Sequence, residues 1–430
     1  MAEVRAVLFF LQPFIYQQKS YKSTYLGIFE IHFLKLSCQR LFLNLIRLNQ
    51  VQLVFTIINI VIMRKSIFAC LMVSCLLSVS GFSQFRKYSN EFLNIGAGAR
   101  GLGMGSAQVA SVNDATAGYW NPAGLAQVKN NIDATIMHAE YFSGIAKYDY
   151  AAVALPVQDN KRTVGFSLLR FAVDDIPNTL FLVEPDGSIN YNNIQTFSSA
   201  DYAFLMSVAQ KLKETDNYVL NAGLNAKVIY RKVGKFANAW GFGLDAGLQM
   251  RGKKWNLGLV AKDITTTFNA WSFKFTEREK EALYLTKNDI PVKSTELTAP
   301  RLIFGGAYTF DIGSNFKLQT EANIDVTFDG KRNTVLSGNT VSADPHIGLE
   351  GAIKNVFFVR AGITNFQEAL SDGDTLNQKK VWIYQPSLGA GFKVKNVNID
   401  YAFTNLANQS NPLYTHVISL RIIFGKKNDK

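Results

Sequence analysis

Leu318-Gln319-Thr320-Glu321-Ala322-Asn323-Ile324-Asp325-Val326-Thr327-Phe328 alternates without a break. Leu318, Thr320, Ala322, Ile324, Val326 and Phe328 fall on one side, and Gln319, Glu321, Asn323, Asp325 and Thr327 on the other. A period of two is that of a β-strand, whose successive side chains point to opposite faces. The stretch is long for a strand of a soluble sheet and close to the length that crosses a bilayer at a tilt.

The same pattern recurs along the chain. Trp240, Phe242, Leu244, Ala246, Leu248 and Met250 alternate with Gly241, Gly243, Asp245, Gly247, Gln249 and Arg251. Val397, Ile399, Tyr401 and Phe403 alternate with Asn398, Asp400, Ala402 and Thr404. The pattern predicts about fourteen strands near 132–142, 147–157, 161–173, 198–212, 217–232, 238–251, 254–266, 299–311, 315–329, 343–354, 355–366, 381–394, 395–405 and 413–424. Arg251–Lys254, Asp311–Asn315 and Lys393–Asn396 read as tight turns. Asp174–Phe197, Thr267–Thr298, Gly330–Ser342 and Gln367–Lys380 read as long polar connections. An even strand count, with short turns on one side and long loops on the other, predicts an all-β fold: a transmembrane antiparallel outer-membrane β-barrel over 131–425. Closure is required because an open edge would leave unpaired N–H and C=O groups in lipid. Tyr148, Trp240, Trp255, Trp382, Tyr384 and Tyr401 lie near strand ends and suit the interfacial girdles. A soluble β-sandwich also alternates, but its strands are shorter.

Composition narrows the function classes. Formal net charge is +12, and residues 1–83 carry eight Lys/Arg against two acids, so half of that excess sits at the N-terminus. The remainder is only mildly basic, which removes the electrostatic case for a nucleic-acid partner. The cysteines are Cys38, Cys70 and Cys75, so nothing after residue 75 offers a disulfide or a thiolate. His32, His138, His346 and His416 form no ligand pair, so no metal is expected. Gly101 to Gly105 lacks the strand–helix setting and the Lys-Ser/Thr of a phosphate loop, and no G-x-S-x-G elbow supports a hydrolase. Asp174-Asp175 and Asp372-Gly373-Asp374 read as acidic turns in solvated loops rather than Ca²⁺ sites. No catalytic residue and no cofactor is expected.

Met63-Arg64-Lys65-Ser66, followed by IFACLMVSCLLSVSGFSQ, has the basic, apolar and small-residue parts of a signal peptide, assigned to 63–83. The mature chain would begin near Gln84. Residues 1–62 then read as an upstream extension outside the mature protein. Alternatively, Leu53–Ile62 joins the apolar stretch as a membrane anchor. Residues 426–430 form a polar tail.

Between signal and barrel lies FLNIGAGARGLGMGSAQVASVNDATAGYWNPAGLAQVKN, residues 92–130. Glycine at this density suits close packing of backbone on backbone. Glu91-Phe92-Leu93, Ala99-Arg100-Gly101-Leu102-Gly103-Met104-Gly105, Asn113-Asp114-Ala115 and Tyr119-Trp120-Asn121-Pro122-Ala123-Gly124-Leu125 resemble the N-terminal region of the PorV/PorQ family. These are outer-membrane proteins associated with type IX protein secretion in Bacteroidetes. Asp400-Tyr401-Ala402 and Thr415-His416 add to the resemblance. That family is similar in turn to FadL-like channels, which share the Asn-Pro-Ala-Gly element. The segment from Tyr414 to Phe424 also resembles the terminal strand that barrel-assembly machinery reads. The resemblance implies that 84–130 folds into the lumen as a hatch. Its motif residues are Arg100, Gly101, Gly103, Gly105, Asn113, Asp114, Trp120, Asn121, Pro122 and Gly124.

Arg100 is the one long charged side chain in the glycine stretch. It reads as a latch or ligand contact, or as a structural ion pair with a lumen acid such as Glu321, Asp325 or Asp245. The second is preferred, since a buried charge needs a partner. Trp271, Phe273 and Phe275 are expected in the 267–298 loop, ahead of a short helix at 276–285. There they mark a partner surface or pack on the barrel rim. Two functions follow from the resemblance. One is a non-enzymatic accessory or shuttle in type IX secretion, with secretion-system proteins or cargo as partners. The other is a FadL-like channel for hydrophobic small molecules, with a ligand or lipid in the lumen. An apolar tunnel behind the hatch would favour the second, and a lumen sealed by polar side chains the first. Outer-membrane lipid is a partner in both.

Overall fold

The computed structural model describes residues 89–128, 131–157, 161–184, 186–291, 293–370, 380–405 and 414–425. The signal peptide, the upstream extension, the Asp372-Gly373-Asp374 turn and the 426–430 tail lie outside the described residues.

Fourteen antiparallel strands close on themselves. They are β1 (Asn131–Tyr141), β2 (Ala146–Val157), β3 (Arg162–Asn178), β4 (Gln195–Glu214), β5 (Tyr218–Val233) and β6 (Ala237–Gly252). Next come β7 in two pieces (Trp255–Lys262 and Thr267–Phe273) and β8 in two pieces (Ser294–Thr298 and Arg301–Ile312). The rest are β9 (Phe316–Thr327), β10 (Ser342–Ile353), β11 (Phe357–Leu370), β12 (Lys380–Val394), β13 (Val397–Thr404) and β14 (Thr415–Gly425). Each pairs with its neighbours in sequence, and β1 pairs with β14 from Asn131↔Gly425 to Glu140↔His416. A two-residue strand, Leu336–Ser337, adds to the outer end of β10.

The alternation decides what faces where. On β9, Glu321 and Asn323 are buried inside while Ile324 is exposed outside. Ile136, Phe166, Phe204, Phe242, Phe304, Ile347 and Ile399 likewise face outward. Such an apolar exterior on a sheet with no free edge is a bilayer-spanning structure. It is the architecture of outer-membrane proteins, and the outer membrane is its location. No helix among the described residues is long and apolar enough to cross a membrane.

Two expectations need correction. The 267–298 region is not a plain loop. Ala237–Phe242 of β6 extends the sheet and pairs with Phe268–Phe273, so β7 resumes after a break at Asp263–Thr266. Asp263 and Thr266 both have φ near +60°, which is how the chain steps out of register and back. Asp174 and Asp175 likewise lie on an extension of β3, and Asp174 accepts from Lys147 at 3.0 Å. Tyr148 is the second correction. It is fully buried and points into the lumen with Tyr150, so it is no girdle residue; β2 places its odd-numbered neighbours outside.

Candidate functional site

Residues 89–128 occupy the lumen. At the rim carrying the long connections, Asn90 Nδ2 donates to Thr298 Oγ1 (2.9 Å) and Asn269 Nδ2 donates to Asn90 Oδ1 (2.8 Å). At the opposite rim, Thr163 Oγ1 donates to the carbonyl of Val128 at 3.3 Å, just before β1. Between these ends lie two short helices, α1 (Ala99–Gly103) and α2 (Ala117–Trp120), and a 3₁₀ turn at Pro122–Gln127. Asn121 caps that turn by accepting from the Ala123 amide (3.1 Å). Its Nδ2 also donates to the carbonyls of Val109 and of Leu248 on β6, both at 3.0 Å. Pro122 sits at the first position of the turn, where its missing N–H costs nothing.

Wall glycines make the fit possible. Gly223, Gly247, Gly258, Gly305, Gly348, Gly362 and Gly389 each face the segment, on β5 to β8 and β10 to β12. A Cβ on Gly348 would lie 2.5 Å from the Met104 carbonyl oxygen, and one on Gly103 would lie 3.1 Å from Cα of Gly389. Gly362 is tightest: a Cβ there would overlap the backbone between Met104 and Gly105, and Gly105 itself has φ +61°. Backbone thus lies on backbone. The sequence displayed these glycines at the polar positions of alternating strands, but only the closed barrel shows what they receive.

Charge fixes one side. Arg100 Nε and Nη2 each donate to Glu350 at 2.9 Å, in a two-pronged pair. Arg360 Nε donates to the same carboxylate at 2.6 Å, and Arg360 Nη1 to Asp400 at 2.7 Å. The lumen acid that Arg100 meets is thus Glu350, which is not among the examples named from the sequence. Glu321 instead accepts from the Ala110 amide at 2.7 Å, Asp245 from Lys227 at 2.8 Å, and Asp325 lies 3.6 Å from Arg301. Helix α1 packs on β11 to β14, which aims Arg100 at β10. Asp114 accepts from the Thr116 amide at 2.9 Å and lies 3.6 Å from Arg421, which also holds Asp133. Asn113 lines a hollow of about 170 Å³ beside these groups. Such buried pairs contribute little net stability, so their effect is to fix where the segment sits.

The other side of the lumen holds the main apolar cluster, with Ser167, Ser207, Asn225 and Lys227 buried beside it. Tyr119, Trp120 and Leu125 of the segment pack with Tyr150, Leu169, Leu205 and Ile229 of the wall. The Tyr119 and Trp120 rings meet edge to face at 4.9 Å. Their polar tips are satisfied within the segment: Tyr119 Oη donates to the Leu93 carbonyl (2.7 Å), and Trp120 Nε1 to that of Ala97 (2.8 Å). Gly101 lies against the Trp120 ring, and Gly124 against Val112.

Trp271 and Phe273 stand on the second piece of β7, with Phe275 just beyond, and all three are half-buried on the rim. Trp271 stacks with Phe273 (6.1 Å) beneath the Arg231 guanidinium (5.1 Å), and Phe275 stacks on Phe236 (6.2 Å). Beyond them runs α3 (Glu277–Leu285), capped reciprocally by Thr276 and Glu279. Its Arg278 lies over Phe181 of the β3–β4 connection at 4.5 Å. In that connection Asn190 and Asn193 donate to Glu184 and hold its carboxyl below its ordinary pKa. The rest of this rim opens into a polar vestibule of about 440 Å³ over Gly105 and Ser106, lined by Arg301, Asp325, His346, Gln367, Gln385 and Asn405 among others.

No protein-family model and no curated protein matches the sequence. Among solved structures, the chain is similar to the Ralstonia pickettii toluene transporter TbuX, at 13% identity and TM-score 0.46 over 76% of this chain and 98% of that one. A Pseudomonas aeruginosa FadL homologue gives 14% and 0.42 over 76% and 98%. The P. putida toluene transporter TodX gives 12% and 0.47 over 77% and 99%. The fold itself rests on the closed strand register described above.

Proposed function

We propose that the protein is a FadL-like, non-enzymatic outer-membrane channel for small hydrophobic molecules, with residues 89–128 as its movable hatch. The observation that carries this reading is the two-sidedness of the lumen. Along β1 to β5, Met137, Tyr150, Leu169, Leu205 and Ile229 of the wall meet Phe92, Leu93, Tyr119, Trp120, Leu125 and Val128 of the hatch in one apolar cluster. The hatch is tied to β10 by the Arg100–Glu350 pair and to β14 by Asp114 and Arg421. A hatch that swings away from β1 to β5 would part these two surfaces and open a passage with apolar residues on both faces for a solute that shuns water. The test is uptake of toluene and of a long-chain fatty acid by cells producing the protein. Uptake above that of cells lacking it supports the reading, and equal uptake of both overturns it.

A second reading, an accessory role in type IX secretion, is favoured by the polar vestibule and by the polar groups that seal its floor. A vestibule rich in amides and paired charges suits peptide backbone better than hydrocarbon. Under that reading, deleting the coding sequence traps proteins bearing C-terminal sorting domains in the periplasm. Normal secretion would remove it.

A further inference from the structure

The outer wall presents a second, separate feature. At mid-height on β1 to β5 and β14, small outward residues interrupt the apolar belt. Ala134, Ala151 and Ala226 sit among Ile136, Phe166 and Met206, leaving an open hollow of about 600 Å³ with no charged residue in its lining. Ile136 pairs with Ala151 across β1–β2, and Met206 with Ala226 across β4–β5, so the hollow spans adjacent strands of one sheet face. In a bilayer such a hollow is filled by hydrocarbon, because neither water nor a void is stable there.

Two residues further along β1, about 7 Å toward the long rim, the outward face changes character. His138 meets Asp149 at 2.7 Å, and Arg170 Nη1 donates to the other oxygen of Asp149 at 2.8 Å. One step higher, Glu140 stands opposite Lys147, which donates to Asp174 at 3.0 Å. Lys147 and Glu140 are each about half exposed (46% and 48%) and keep hydrogen-bonding capacity to spare. Lys147 pairs with Asp174, Arg170 and His138 share Asp149, and His138 Nε2 also lies 3.3 Å from Glu140. The cluster therefore offers acceptors and cations side by side.

We propose that this wall is a binding site for one zwitterionic phospholipid. Its acyl chain lies in the Ala134–Ala151–Ala226 hollow, its phosphate meets Lys147 and Arg170, and its ammonium meets Glu140 and Asp174. A headgroup with negative charge alone would face three carboxylates, Glu140, Asp149 and Asp174, beside Lys147 and Arg170, so the pattern selects the zwitterion. The proposal does not depend on what crosses the lumen.

Native mass spectrometry of the intact protein in mild detergent tests it. Phosphatidylethanolamine and phosphatidylglycerol with identical acyl chains are supplied at equal concentration. The expected result is one phosphatidylethanolamine adduct, retained over phosphatidylglycerol by about fivefold for a few partly exposed charge contacts. Ala151→Phe should fill the hollow and abolish the adduct in a protein that still folds. Lys147→Gln should keep the adduct but lose the preference. Equal retention of both lipids, preference for phosphatidylglycerol, or an adduct that survives Ala151→Phe would overturn the proposal.

Discussion

Arg100 and Glu350 meet in a two-pronged pair, 2.9 Å on each prong, across 250 residues of sequence, and Arg360 shares the carboxylate at 2.6 Å. One carboxylate thus serves a guanidinium of the hatch and a guanidinium of the wall. Removing the acid and removing the hatch cation are therefore unequal operations. Glu350→Gln takes the charge partner from the partly buried Arg100 and leaves Arg360 with Asp400 alone, and is expected to destabilise by about 3 kcal/mol. Arg100→Ala leaves the Glu350–Arg360–Asp400 chain intact and should cost far less. Guanidinium unfolding of the two variants in detergent measures the difference, and equal costs would contradict the shared-carboxylate account.

Gly362→Ala should unseat the hatch without unfolding the barrel. The added methyl collides with backbone at Gly105 rather than with a flexible side chain, so the segment must move. Single-channel recordings in planar bilayers should show ion conductance in the variant and none in the parent. Gly306→Ala, also on the wall but with only Leu257 nearby at 3.8 Å, should remain closed.

Asn121→Ala should take a donor from the Val109 and Leu248 carbonyls and uncap the Pro122–Gln127 turn. Each unsatisfied buried group costs roughly 1–3 kcal/mol. Hydrogen exchange should accelerate across 109–128 while β6 on the outer side stays protected. Unchanged exchange would show that Asn121 does not hold the turn.

Thr276→Ala removes the half of the reciprocal cap in which Thr276 Oγ1 accepts from the Glu279 amide, leaving the backbone amide of residue 276 to donate to Glu279, and is expected to lower local stability by about 1 kcal/mol. Limited proteolysis should cut within 277–293 several-fold faster, with the barrel band unchanged on heat-shift gels.

The barrel was legible because a strand facing lipid on one side and polar matter on the other writes its period directly into the sequence; β9 shows this residue by residue. The rim ends were less legible. Thr267–Phe273 reads as loop until β6 is seen to extend beyond the break at Asp263–Thr266, a pairing that no local signal encodes. Tyr148 looked like an interfacial aromatic by position, but strand parity turns it inward beside Tyr150. The partner of Arg100 was beyond reach for a related reason. Glu321, Asp325, Asp245 and Glu350 all occupy inward positions, and only the placement of α1 over β11 to β14 selects among them.

Under the proposed function the hatch must move for a hydrophobic solute to pass. Gly118→Cys combined with Ser207→Cys tests this most directly. A Cβ at Gly118 lies 3.1 Å from Oγ of Ser207 on β4, about the separation of a Cβ from the far sulfur across a disulfide. No cysteine follows residue 75 to compete. Uptake of toluene should fall to the level of cells lacking the protein when the pair is oxidised, and return on reduction. An oxidised variant that transports at the parental rate would contradict the account.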